Sequence, residues 1–513
     1  MTDHSDKHLK KVAKGGALGL VGAGFSGISG FLLVGVVTNM VSLETSGHLF
    51  TLTSAFLLVS SLCVLGADTG LARFLLRFEK HERHADIPGL IRVAAQPVAL
   101  VTFAAAGITF GLADPLADLL SLDPSTGPSA VRVMALVLPA AVALLFFVAG
   151  SLAFGSVRGM VLVDQTLRPT LQLVAVWVAA ATGAGLVGLT WAWSLTFVVA
   201  APLAGVMFLA ITRRRREGYP EPSTRPTDRR ALAKEFWAFA WPRSITRMAQ
   251  MAIQRLDIVL IAALSTAANA ALYTAATRFI VVGQMANQAI QQVLLPRFAT
   301  LIAEDDIDSL RRVYQLSTAW SMALSWPVYV GVAGCVHLYL RIFGRSYDTF
   351  DTTLTVLIMA AAMMISVAVG PADSLLLMAG RSGLSLANTF IALAIDVVGC
   401  IILIPLVGVW GAAIAWALAV ATRGLLGLLQ IRFLLRIGGL GTPVLIVMAA
   451  VLGTIALPLG VANAMGYTSW SIMLPLLGVC AIVYTGVLLL AGRPLALDAF
   501  LPGLASTDKD ARS

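Results

Sequence analysis

WPRSITRMAQMAIQRLDIVLIAAL, residues 241–264, is apolar enough to cross a bilayer, yet it carries Arg243, Arg247, Arg255 and Asp257. A charge at bilayer depth is expensive, and such residues face protein or a water-filled cavity rather than lipid. On a helical wheel with Arg243 at 0°, Gln250, Gln254, Arg247, Asp257 and Thr246 fall within an arc of about 100°. Arg255 lies off this stripe, at about 120°. One face of this helix is therefore built for polar company along most of its length.

The rest of the chain explains why such a helix exists. Its 513 residues are 58% hydrophobic and only 12% charged, with a mean hydropathy of +0.86. A soluble chain carries about 25% charged residues, so this is an all-α polytopic membrane protein. A spanning helix needs roughly 20 apolar residues. Fourteen segments meet that need: about 15–40, 47–70, 90–111, 129–153, 160–183, 186–211, 236–262, 268–292, 315–340, 350–379, 385–407, 409–433, 441–463 and 469–491. The run after Lys7, Lys10, Lys11 and Lys14 is too long for the core of a signal peptide, and reads as the first span. Cys63, Cys335, Cys400 and Cys480 all lie in apolar segments, with neither zinc spacing nor a disulfide framework.

Charge orients the spans, because cytoplasmic loops are enriched in Lys and Arg. With the N-terminus inside, 29 of the 36 basic residues fall in inner loops and ends. Three, Arg132, Arg341 and Arg345, fall outside; Arg243, Arg247, Arg255 and Arg278 stay at membrane depth. Both termini are then cytoplasmic. The net charge of +9 is explained by this placement and calls for no nucleic acid.

An internal repeat divides the chain. Asp86-Ile-Pro-Gly-Leu-Ile-Arg-Val93 matches Asp306-Ile-Asp-Ser-Leu-Arg-Arg-Val313 at five of eight positions, 220 residues apart. The same offset relates LVG at 186–188 to LVG at 406–408, Lys14 to Lys234, and Arg77 to Arg297. Six spans per half is an even number, so the halves have parallel topology. The expected organisation is a six-helix bundle over 1–212, a basic Pro-containing cytoplasmic linker over 213–235 and a second six-helix bundle over 236–436. Two appended helices over 437–492 and a cytoplasmic tail over 493–513 follow. Transporters built from such repeats bind substrate near the midplane between halves.

The candidate site follows from the charged stripe. Helix 8 adds Thr277, Arg278, Gln284, Gln288 and Gln291. Arginines in a wet cavity suit an anion, because guanidinium groups pair with phosphate in bidentate fashion and stay charged when partly buried. Arg243, Arg247, Gln250, Gln254 and Arg278 are the candidate substrate-binding residues. A second reading of Arg243 is that it snorkels to headgroups beside the interfacial Trp237 and Trp241. Asp257 and Asp396 are candidate ion-coupling acids for H⁺ or Na⁺, with an Arg255–Asp257 salt bridge as the alternative for the first. Asp373 is a further acid in an apolar segment. Asp68 is expected to pair with nearby Arg73, and Asp164 with Arg168 one turn on. Gly22-Ala-Gly-Phe-Ser-Gly27 fits a dinucleotide fingerprint in letters only; inside a spanning helix it is packing glycine. No Ser/His/Asp set, HExxH or P-loop lysine occurs, so neither an enzyme nor a bound cofactor is expected.

LPRFATLIAEDDIDSLRRVYQLSTAWSMALSWPVYVGVAGCVHLYLRIFGRSY, 295–347, and PLVGVWGAAIAWALA, 405–419, resemble two regions of polysaccharide flippases. The first has a Pro ending helix 8, an amphipathic stretch, a Pro in helix 9 and a closing F-G-x-x-Y. The second has the P-x-x-G-x-x-G-A-A-x-A hairpin. The chain is similar to the MOP superfamily, specifically the Wzx-type lipid-linked oligosaccharide flippases. It departs from them in the helix 1–2 turn, SLETSGHLFTL, which lacks the usual Phe-Gly. The resemblance implies fourteen helices around a central cavity. It also implies a polyprenyl-pyrophosphate-linked glycan carried from the cytoplasmic to the outer leaflet of a bacterial plasma membrane, coupled to an ion gradient. The glycan carrier and membrane lipids, with glycan polymerases and glycosyltransferases, are the implied partners. The related MATE drug antiporters are the alternative; they favour acids over arginines in the cavity and usually have twelve spans.

Overall fold

The structure is a computed structural model, and it describes residues 2–81, 83–217, 228–437, 441–492 and 494–495. The centre of the 213–235 linker and nearly all of the 493–513 tail lie outside these residues. Among the described residues all regular structure is helical. The chain runs through α1 (Thr2–Met40), α2 (Leu43–Cys63), α3 (Ala67–Lys80), α4 (Ile87–Gly111), α5 (Ala113–Leu119), α6 (Gly127–Ala153), α7 (Arg168–Ala181) and α8 (Leu186–Glu217). It continues with α9 (Arg229–Leu264), α10 (Ala267–Ala276), α11 (Arg278–Ala303), α12 (Ile307–Gly334), α13 (Val336–Arg341), α14 (Phe350–Val369) and α15 (Ala372–Met378). The last five are α16 (Ser382–Val407), α17 (Val409–Leu434), α18 (Thr442–Val451), α19 (Leu457–Ala464) and α20 (Trp470–Leu490).

Ten of the described segments are long and apolar enough to cross a membrane. The other four expected spans are helical, but are broken or charged. Residues 236–262 lie within the single continuous α9, whose arginines set it apart. Residues 160–183 begin as a π-helical stretch, Gly159–Leu167, and become α-helical only at α7. The cause is local: Pro169 offers no N–H and its ring crowds the carbonyl one turn back. The 268–292 segment is interrupted at Thr277, and 315–340 ends in the short α13.

The repeat is visible in the order of elements. The two copies of the D-I-x-x-L-x-R-V motif open α4 at Ile87 and α12 at Ile307. Each is preceded by a broken helix, α2–α3 or α10–α11, and followed by a short helix, α5 or α13. In the second copy Asp306 caps α12, accepting from the Ser309 N–H at 3.0 Å. The hydrogen bonds from Ser309 hold the Asp306 carboxyl below the usual carboxylate range.

Two compact units divide between Thr274 and Ala275, so α9 packs with the first, whereas the sequence groups it with the second bundle. In the first unit α2 packs on α9 and α6 on α8. Phe56, Trp193 and Phe197 form an aromatic knot, with ring centroids 5.4–5.6 Å apart. Gly47 lets α2 approach closely, for a Cβ there would sit 1.7 Å from Ala267 O. In the second unit α16 and α17 form the hairpin of the 405–419 motif. Gly408 turns it at φ +74°, and Gly411 lets α17 touch the Leu403 carbonyl, 2.6 Å from where its Cβ would stand. α18, α19 and α20 belong to this unit; Tyr484 Oη donates to Ala323 O of α12 at 2.9 Å. All four cysteines are buried.

The F-G-x-x-Y motif closes a tight turn. Gly344 takes φ +120°, and Phe343 and Tyr347 are buried on either side. The next residue, Asp348, contacts His337 Nδ1 at 2.7 Å and accepts from Arg341 Nε at 2.8 Å. Burial alone would raise the Asp348 carboxyl, but the hydrogen bonds and charge of His337 and Arg341 outweigh it, leaving it below its ordinary value. A depressed carboxylate stabilises the fold above its unfolded value and loses that contribution as pH falls through the folded one. Melting temperature is therefore expected to hold down to about pH 4 and to fall below it. Asp348→Asn flattens that acid limb; an unchanged limb in melting curves between pH 6 and pH 3 counts against the assignment.

Candidate functional site

The site is built on α9. Ala240, Ser244, Ala249, Ile253, Ile258 and Ile261 are buried along it, and the helix packs on α2, α3 and α4. Exposure along the polar stripe is graded. Arg243, Gln250 and Gln254 are exposed, and Thr246 and Arg247 are half-buried. Arg255, off the stripe, is also half-buried.

α3 faces the basic half of that stripe. A sharp break precedes it: Leu65 and Gly66 both take positive φ, +53° and +72°. Gly66 is obligatory, because a Cβ would lie 2.4 Å from Ala240 O and 2.8 Å from Ser244 N. This approach sets Asp68, in the first turn of α3, against α9. Asp68, expected to pair with Arg73, instead accepts from Arg247 Nη1. The side chains of α3 explain the exchange. Arg73 lies over the Phe239 ring, its guanidinium carbon 4.2 Å from the centroid. Arg243 approaches the same ring at 5.7 Å. Farther along, Arg77 pairs with Glu235 at 2.6 Å, and Phe74 packs between Phe236 and Phe239 at 5.5 and 6.1 Å. Three guanidinium groups and one carboxylate thus gather on one side of the α3–α9 seam. Arg247 Nε is buried there without a hydrogen-bond partner among the described residues.

At the other end of the stripe Asp257 is 4% exposed. It accepts from the Tyr273 hydroxyl and from the Ile258 N–H at 3.0 Å. Among the described residues no ion pair joins it to Arg255, so the salt-bridge alternative is replaced by a tyrosine contact. Tyr273 of α10 was not legible as a partner from the sequence; it sits 16 residues along the chain, beyond a helix end.

The remaining candidates lie in the second unit. Arg278 opens α11 and is half-buried. Tyr339 braces this helix start, accepting from Phe279 N at 3.2 Å and donating to Ala275 O at 2.7 Å. Gln284 is half-buried, Gln288 exposed, and Gln291 accepts from Ser374 Oγ at 2.9 Å. Asp396 is 1% exposed, with Cys400 Sγ 4.0 Å away. Asp373 is bound by Arg423 Nη2 at 2.6 Å and Ser385 Oγ at 2.5 Å, a pairing that ties α15, α16 and α17 together. Asp164 and Arg168 pair at 2.9 Å as expected. Gly22 of the false fingerprint packs against Gln165, whose Oε1 would lie 2.3 Å from a Cβ.

Residues 49–350, more than half of the chain, match the family model described as Polysaccharide biosynthesis protein. Among curated proteins no sequence relative matches significantly. Solved structures share the fold. A structure described as lipid II flippase MurJ in an inward closed conformation aligns with a TM-score of 0.67 at 13% identity, covering 94% of this chain and 100% of its own. An inward-facing multidrug resistance MATE transporter of the MOP superfamily aligns at 0.63 and 14%, covering 80% and 94%. A MOP superfamily transporter from Pyrococcus furiosus aligns at 0.56 and 14%, covering 83% and 96%. The chain has the fold of the MOP superfamily.

Proposed function

Because this chain belongs to the family described as Polysaccharide biosynthesis protein, we propose that it is a flippase for a polyprenyl-pyrophosphate-linked oligosaccharide. It moves this carrier from the cytoplasmic to the outer leaflet by alternating access, for surface polysaccharide assembly. The observation that carries the reading is the cationic side of the α3–α9 seam, where Arg73, Arg243 and Arg247 converge. Arginine at membrane depth is costly and is kept where it meets an anion. The pyrophosphate supplies that anion in bidentate geometry. Gln250 and Gln254, exposed farther along the same face, supply donors and acceptors for sugar hydroxyls. Arg278, at the start of α11 in the second unit, is a further proposed substrate-binding cation. Asp257 and Asp396, both buried, are the acids through which an H⁺ or Na⁺ gradient drives the cycle. The basic loops orient the chain with both termini in the cytoplasm of a bacterium, its plasma membrane the site of action.

The test is mass spectrometry of lipid extracts from cells with and without the gene, beside analysis of surface glycan. Loss of the protein is expected to build up a polyprenyl-linked oligosaccharide and to deplete its surface polymer. An accumulating lipid II precursor instead reassigns the cargo. An unchanged lipid pool with altered drug tolerance replaces the flippase by a MATE-like antiporter.

A further inference from the structure

The reading above leaves Asp68 unexplained. A carboxylate that binds one of three site arginines weakens the site for every other anion. Gly66 permits the close approach of α3 to α9, but that permission does not call for an acid two residues on. The Asp68 side chain is largely covered, while Arg247 keeps substantial exposure. Asp68 also sits in the first turn of α3, where the helix dipole favours negative charge. Its contact with Arg247 is through one terminal nitrogen, and Arg247 Nε stays buried without a partner among the described residues. A guanidinium satisfied on one corner, with its Nε unmet, is poised for an oxyanion that engages two N–H groups together.

We infer that Asp68 is an internal occupant of the anion site, holding Arg247 and the α3–α9 seam closed until a phosphate of the ligand takes its place. The inference rests on the proposed phosphate site and names how that site is kept. With Asp68 in place the patch carries three guanidinium charges against one carboxylate. A doubly charged pyrophosphate diester outcompetes a single carboxylate for the three of them. The exchange then releases α3 from α9, so binding of the head group and opening of the seam are one event. A second consequence is selectivity: a singly charged anion gains too little to displace Asp68, and only the diphosphate opens the seam. Ligand-driven change needs this differential affinity for two states, and the counter-ion exchange supplies it.

Inorganic pyrophosphate, titrated calorimetrically into the purified full chain in lipid nanodiscs, is the probe. Asp68→Asn is expected to bind it about fivefold more tightly or better than the natural chain, the size of a typical coupling between linked events. Arg247→Gln is expected to abolish that gain. If Asp68→Asn binds equally or more weakly while Arg247→Gln still loses binding, the internal-occupant inference falls and the phosphate site stands. If Arg73→Gln, Arg243→Gln and Arg247→Gln all leave pyrophosphate binding unchanged, the phosphate site itself falls. The unsubstituted chain gives an independent check. Saturating pyrophosphate is expected to speed amide hydrogen exchange over residues 66–72; unchanged or slower exchange overturns the inference whatever the variants do.

Discussion

A Gly66→Val chain is expected to be destabilised by about 3 kcal/mol or more, and to reach the membrane in reduced amount. Two costs add. A β-branched residue held at the φ of +72° costs about 1–3 kcal/mol. The new Cβ also collides with backbone, Ala240 O at 2.4 Å and Ser244 N at 2.8 Å, and overpacking of this kind costs about 1–3 kcal/mol. Backbone cannot swing aside as a side-chain tip does, so α3 and α9 must part. Gly155→Val separates the two costs, because Gly155 takes φ +74° with nothing among the described residues within 4 Å of its would-be Cβ. Gly30→Ala, in mid-helix with open space around it, is the neutral control. Melting of detergent-solubilised protein ranks the three. A Gly66→Val chain that melts with Gly155→Val shows that the seam yields freely, and the close approach then carries no weight.

Asp257→Asn is expected to leave the protein folded and abundant but to lower gradient-driven flipping more than tenfold. The amide oxygen still accepts from Tyr273 and the volume is unchanged, so the local structure survives. What is removed is the carboxylate charge through which the proposed coupling reads a passing cation. Tyr273→Phe does the reverse. It keeps the acid and strips its hydroxyl partner, at a stability cost of about 1–3 kcal/mol for a buried group left short of a hydrogen bond. Flipping measured in proteoliposomes with and without an imposed gradient tells the roles apart. Full gradient dependence in Asp257→Asn removes Asp257 from the coupling proposal and turns attention to Asp396.

What the sequence disclosed and what it withheld follow from distance along the chain. Asp164–Arg168 was legible because four residues make one helical turn, and the pair forms at 2.9 Å. The α9 stripe was legible for the same reason, its periodicity placing Arg243, Gln250 and Gln254 on an exposed face. The Asp68–Arg247 pair joins residues 179 apart, and no local pattern points from one to the other. Nearby Arg73 looked like the partner only because the ring of Phe239 is invisible in one dimension. Asp257 shows the limit of a wheel. It lies on the polar stripe, yet Tyr273 from the next helix covers it. The D-I-x-x-L-x-R-V repeat marks the correspondence of helix starts at Ile87 and Ile307, since each copy sets its Asp at the N-cap position. The spans that break, at Pro169 and at Thr277, break where proline geometry or a tertiary contact overrules an apolar run.

The burial of Cys63, Cys335, Cys400 and Cys480 has a practical side. To a water-soluble maleimide the natural chain is expected to be nearly silent. A reporter thiol placed at an exposed position such as Gln250 or Gln254 then reads its own surroundings against a quiet background. The same chain, with all four native cysteines kept, is a ready instrument for timing when the polar face of α9 meets water.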